Sequence, residues 1–286
     1  MKKCLLFGLA VVMCGGIAVA QPRSASAPVK LISAPVALMA PVWSPDGTQI
    51  AVTGNNYTGI MVADADGSNL RVLTEEAGAG YKMVWNGSNS IVGRTNIVEN
   101  GRVLHEICKW NVADGARSVM VAKSRTTQAP TLRAAGLKKS AANVYELMMA
   151  QPAKVAWQVP ALAQFEGKVI INPALSADGK RVAFQVPGKG MWVMNADGTE
   201  LRSLGKGSHP QWLSDNATVV YTVVKDNGQD FTASTLYALN VDNGKNVTLT
   251  AMSNIIPLTP SVSPDGLKVA FENAADNAIY VINLKY

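Results

Sequence analysis

The sequence predicts an all-β protein: a six-bladed β-propeller of four-stranded antiparallel blades, its last blade closed by an N-terminal strand. Three observations carry the prediction. One phrase, Pro41-Val-Trp-Ser-Pro-Asp-Gly47 followed by Ile50-Ala51, returns as Pro260-Ser-Val-Ser-Pro-Asp-Gly266 followed by Val269-Ala-Phe271. Two different turns keep one period of about 45 residues, the length a four-stranded blade needs. The C-terminal unit is one strand short, and a spare strand stands at 29–38.

Residues 1–20 have the makeup of a secretory signal peptide. Lys2 and Lys3 precede an apolar run from Leu5 to Ile17, and Ala18, Val19 and Ala20 offer small residues for cleavage before Gln21. The run falls short of the roughly 20 apolar residues of a spanning helix. Met13 before Cys14 disfavours lipid attachment, which wants a small residue there. Residues 21–28, small, polar and proline-bearing, read as a flexible leader, and 29–286 as a single propeller domain with its closing strand at 29–38.

The first unit shows how each blade is read. Val42-Trp43, an Asp46-Gly47 turn, strands at 50–52 and 60–62, an Asp66-Gly67 turn and a strand at 70–73 make four short strands with turn chemistry between them. Looser copies are Met83-Val-Trp-Asn-Gly-Ser-Asn89, Pro173-Ala-Leu-Ser-Ala-Asp-Gly179 and Pro210-Gln-Trp-Leu-Ser-Asp-Asn216. The later turn recurs at Asp114-Gly115, Asp197-Gly198 and Asn243-Gly244. Blades are thus expected to start near residues 42, 84, 130, 174, 211 and 261. The unit near 130 has no readable turn, and its strands are assigned to 144–147, 155–158 and 169–171 with Glu166-Gly167 as a turn. Leu137, Ala141, Val144 and Met148 fall at helical spacing, so a short helix beside a reduced blade is the alternative. The last unit ends after three strands, and the strand at 29–38 completes it, removing an exposed edge.

Candidate chemistry is sparse. His105 and His209 are the two histidines, without Asp or Glu at ligand spacing, so neither a metal nor another cofactor is expected. His105 reads as a strand-face residue, while His209 precedes Pro210 where an inner strand begins, near the channel mouth. Asp46, Asp178 and Asp265 occupy one place in the repeat beside Gly47, Gly179 and Gly266, which marks them as turn-holding residues rather than acids or calcium ligands. Trp43, Trp85 and Trp212 share an inner-strand position and read as packing between blades. No nucleophile elbow or phosphate-cradling loop occurs, and no catalytic residue is assigned. After signal removal Cys108 is the one cysteine, so no internal disulfide forms. Lys and Arg total 26 against 20 Asp and Glu, too weak a basic excess to argue for nucleic acid.

The phrases around Trp43 and Val262, together with Tyr280-Val-Ile and Leu70-Arg-Val-Leu-Thr74, resemble the WD40-like repeats of TolB-like β-propellers. That resemblance implies a six-bladed fold in the bacterial periplasm and, for TolB itself, binding within an envelope complex that includes a peptidoglycan-associated lipoprotein. TolB carries an α/β domain before its propeller, whereas only a leader and one strand follow the signal here, so its partnerships do not transfer directly.

The expected function is an exported, monomeric, non-enzymatic module that binds another envelope protein, with no membrane span after cleavage. Loops joining blades, and loops joining second to third strands, share one face. On it Tyr81, Arg102, Arg125, His209 and Lys225 are the candidate binding residues. The alternative is a carbohydrate-binding or carbohydrate-active propeller, of lyase or hydrolase type, using the central funnel.

Overall fold

A computed structural model describes residues 21–125, 144–150, 152–251 and 254–286. The expected signal peptide at 1–20 and the expected blade start near 130 lie outside the described residues.

Every blade is built the same way, because the repeat places two apolar strands in the middle of each sheet. Blade 1 holds β3 (Met39–Trp43), β4 (Gln49–Thr53), β5 (Ile60–Asp64) and β6 (Arg71–Thr74). Blade 2 holds β7 (Val84–Trp85), β8 (Ser90–Glu99), β9 (Arg102–Asn111) and β10 (Arg117–Ser124). Two helices follow, α1 (Val144–Ala150) and α2 (Val155–Gln158). Blade 3 holds β11 (Ile171–Leu175), β12 (Arg181–Val186), β13 (Gly190–Asn195) and β14 (Arg202–Gly205). Blade 4 holds β15 (Ser208–Trp212), β16 (Thr218–Asp226), β17 (Phe231–Asn240) and β18 (Asn246–Thr248). Blade 5 holds β19 (Pro257–Val262), β20 (Lys268–Asn273) and β21 (Ala278–Lys285). Within each sheet the strands pair in sequence order.

The propeller therefore has five blades among the described residues, not six. Residues 144–147 and 155–158, expected as strands of an additional blade, are helical. Good helix formers run through Glu146-Leu-Met-Met-Ala150, and Val144 and Met148 bury the same face one turn apart. With Val155, Ala156, Leu162 and Phe165 they form one cluster against Val182, Phe184 and Met194 of blade 3. Without a turn residue such as Asp-Gly to reverse the chain, that face is satisfied by a helix. Of the stretch 169–171, only Ile171 is in a strand, and it opens β11 of blade 3.

Blade 5 takes its outer strand from the other end of the chain. β2 (Val29–Ile32) pairs antiparallel with β21 in the register Val29–Val281, Lys30–Tyr280 and Ile32–Ile279. Lys30 also meets Asp276 at 2.7 Å. The stretch 21–28, expected as a loose leader, is held as well: β1 (Ser24–Ala25) pairs with Leu284 and Lys285, and Gln21 Nε2 donates to Lys245 O at 2.8 Å. Unpaired backbone groups at the end of β21 make this pairing favourable.

The turns follow the repeat. Asp46 accepts from Ser44 Oγ at 2.6 Å and Thr48 N at 3.1 Å, and Asp178 accepts from Ser176 Oγ at 2.6 Å and Lys180 N at 3.1 Å. Asp265 does the same with Ser263 Oγ at 2.5 Å and Leu267 N at 2.9 Å. Gly47, Gly179 and Gly266 take φ of 71°, 72° and 71°, the left-handed region that only glycine enters freely. Between blades, three tryptophans act alike. Trp43 Nε1 donates to Ser261 O (3.2 Å), Trp85 Nε1 to Val42 O (3.0 Å) and Trp212 Nε1 to Ala174 O (2.9 Å). Each indole satisfies its N–H on the preceding blade's inner strand; the Trp43 ring is buried, and those of Trp85 and Trp212 are half-buried.

Candidate functional site

Strand alternation assigns the loops to two ends of the channel. First-to-second and third-to-fourth strand turns share one end, the turn face. Second-to-third strand loops and blade connections share the other, the loop face.

At the loop end every inner strand carries one irregular residue. Ala40, Lys82, Asn172, His209 and Thr259 take φ of 47°, 52°, 50°, 53° and 42°, each three positions before Trp43, Trp85, Leu175, Trp212 or Val262. Register shifts fall at the same place in blades 1, 3, 4 and 5. A non-glycine residue in this region costs on the order of 1 kcal/mol, and bulges of this kind re-aim side chains near functional sites.

Polar groups gather around this ring. Glu272 of β20 is buried, and its Oε2 accepts from Ala40 N at 2.7 Å and Thr259 Oγ1 at 2.8 Å. No cation pairs with it among the described residues, and burial pushes its carboxyl above the ordinary value. Burial, and then the charge of Glu272, raise the Tyr57 phenol. Tyr57 meets Tyr81 edge-on, with ring centroids 5.2 Å apart, and the Arg94 guanidinium lies 4.2 Å from the Tyr81 centroid. Arg94 Nε is buried without a hydrogen-bond partner. His209 Nδ1 is likewise unpartnered, and burial lowers its pKa, keeping the ring neutral near pH 7.

The residues singled out from sequence have different surroundings. Tyr81 joins the aromatic–guanidinium group just described, and His209 is one of the five bulge residues. Arg102 is exposed where β9 begins after the Asn100-Gly101 turn. Arg125 is exposed just after β10, and Lys225 is exposed on β16, paired across to Ala233. His105 lies on β9, its Nδ1 2.9 Å from Asn96 Oδ1, and burial and then Arg94 lower its pKa. Sequence reading missed Arg94, Glu272 and Tyr57. For Glu272 a signal existed: it directly follows the repeated Val269-Ala-Phe271.

Two long hairpins rise beside the ring. In blade 2, β8 and β9 run ten residues each, and Val98 (72% exposed) and Val103 sit near the tip, where Lys123 pairs with Glu99. In blade 4, β16 and β17 are similarly long, with Phe231 exposed. Among the described residues no three His, Cys, Asp or Glu side chains cluster as a metal site. No helix among them is long and apolar enough to cross a membrane.

A cavity of about 670 Å³ runs between the inner strands of blades 2 to 5 and helix α1, from the loop-end residues Lys82 and Asn172 to the turn end. Its walls include Met83, Tyr145, Glu146, Met149, Leu175 and Trp212, with Ser214 and Pro264 from the turns.

Fold and site define a β-propeller with a polar, aromatic loop face. No family model matches the chain. Its repeats are TolB-like: over 124 residues, 41% of this chain, it is 34% identical to the TolB homolog of Chlorobium luteolum. The match spans 27% of that relative's length. Among solved structures, an oligogalacturonate lyase of Vibrio parahaemolyticus aligns with a TM-score of 0.45 and 13% identity, over 85% of this chain and 76% of that one. A protein designated TolB from Agrobacterium tumefaciens aligns with a TM-score of 0.34 and 14% identity, over 85% and 72%. Likeness of that degree says nothing about chemistry.

Proposed function

We propose that the chain is an exported, non-enzymatic TolB-like propeller whose loop face docks another protein of the bacterial envelope. One observation carries the reading. Arg94 stacks on Tyr81, Tyr81 meets Tyr57 edge-on, and the Arg94 Nε has no partner within the protein. Arginine and tyrosine are enriched among the residues that dominate protein interfaces. The hairpins of blades 2 and 4 add exposed apolar side chains at Val98, Val103 and Phe231. The signal-like residues 1–20 and the TolB-like repeats support the periplasmic part of this reading.

Capture from envelope extracts with the tagged mature chain tests the proposal. The native chain is expected to retain a stoichiometric partner that Arg94→Ala and Tyr81→Ala lose at least tenfold, a loss of about 1.4 kcal/mol or more. Thermal melts of both variants control for unfolding. Equal capture by native and variant proteins, or no partner at all, refutes the reading. A chain fused to a reporter active only outside the cytoplasm tests export.

A further inference from the structure

The cavity runs from the turn end up to Lys82 and Asn172 of the loop-end ring, and it coincides with a break in the repeat. Blades 1, 2 and 4 place tryptophan at one inner-strand position; blades 3 and 5 place Leu175 and Val262 there, and both line the cavity. Helix α1, standing where strands were expected, supplies a further wall through Tyr145, Glu146 and Met149. At about 670 Å³ the space lies within the range of roughly 300–1,000 Å³ typical of small-molecule sites.

Its chemistry is uneven in an informative way. Most lining residues are apolar, and the charged ones are Glu146, from α1, and Lys82, from the ring of left-handed residues. Neither forms a salt bridge among the described residues, although Lys82 Nζ approaches the Tyr81 ring, 5.6 Å from its centroid. Gln211 and Asn172 add amide groups. A largely apolar chamber with a half-buried carboxylate on one wall and an exposed lysine at its loop-end rim, neither in a salt bridge among the described residues, complements a ligand with the reverse arrangement.

We propose that this cavity binds a short peptide with free termini, its ammonium group taken by Glu146, its carboxylate by Lys82, and its apolar side chains by the walls. The site adjoins the loop face through Lys82, whose ammonium lies 5.6 Å from the Tyr81 ring centroid, while Glu146 belongs to the cavity alone. Calorimetric titration with Ala-Leu-Leu-Ala, its N-acetylated form and its C-terminal amide tests it. The free peptide is expected to saturate the native protein. Acetylation is expected to weaken binding about tenfold in the native protein and less than about twofold in Glu146→Gln; amidation is expected to do the same against Lys82→Met. Glu146→Gln, remote from Arg94 and Tyr81 in the contacts it makes, is expected to capture an envelope partner normally. The proposal is overturned if no peptide of two to five residues saturates the protein at millimolar concentration. It is also overturned if capping the termini weakens native and variant proteins equally, or if a neutral oligosaccharide binds the cavity in preference to the peptide.

Discussion

Ile32 offers a direct measure of what closing the ring contributes. It sits on β2, is 2% exposed, and packs with Leu38, Ile50, Ala270 and Ile279 between blades 5 and 1. Its neighbour Val29 belongs to the same strand and the same ladder but is 57% exposed. Replacing a core isoleucine by alanine removes its transfer energy and leaves a cavity, at about 2–5 kcal/mol. A solvent-facing substitution stays within about 0.5 kcal/mol. With roughly 2–4 °C per kcal/mol in domains of comparable size, Ile32→Ala is expected to lower Tm by about 5–15 °C and Val29→Ala by about 2 °C or less. Differential scanning calorimetry on the mature chain reads both. A chain beginning at residue 33 leaves the β21 edge unpaired and is expected to associate with rising concentration on size exclusion. Equal melting of the two point variants would refute the claim that the amino-terminal strand is part of the folded ring.

Other outcomes follow from the same structure. Hydrogen bonds from Ser44, Ser68, Ser176 and Thr199 are the leading cause holding Asp46, Asp66, Asp178 and Asp197 below the ordinary carboxylate value of 3.8. A depressed folded pKa stabilises above the unfolded value and is lost as pH falls through and below it. Tm is thus expected to hold from pH 7 to about 5 and to drop below about 4; an unchanged Tm at pH 3 contradicts this. Trp43→Phe keeps a ring but removes the 3.2 Å bond to Ser261 O, at an expected cost of roughly 1–2 kcal/mol in urea unfolding. Burial pushes the Cys108 thiol up to about 11, so iodoacetamide at pH 8 is expected to label the urea-unfolded chain and spare the folded one.

The architecture was legible where local chemistry repeats. Asp-Gly turns need a carboxylate and a left-handed residue at fixed places, and strands on either side of them must alternate or be buried, so the blade unit is written in the chain itself. The additional blade was misread because its evidence was spacing without turn chemistry, and Val144 and Met148 satisfy a helix face equally well. The candidate site was less visible. Tyr81 and His209 were recognisable from their places in loops, but Arg94 reads in sequence as an ordinary strand residue. It gains significance only because the connection between blades 1 and 2 lays Tyr81 beneath its guanidinium.

By itself, then, the sequence determined what depends on neighbours a few residues apart: short paired strands, their turns, and the period that stacks them around an axis. Tertiary structure decided what depends on distant segments meeting. These are the number of blades, the join between the two ends, the ring of left-handed residues, and the meeting of Arg94, Tyr81 and Tyr57. The physical reason is that turn and strand preferences act through local backbone geometry, whereas burial and electrostatics act through whichever groups packing brings together.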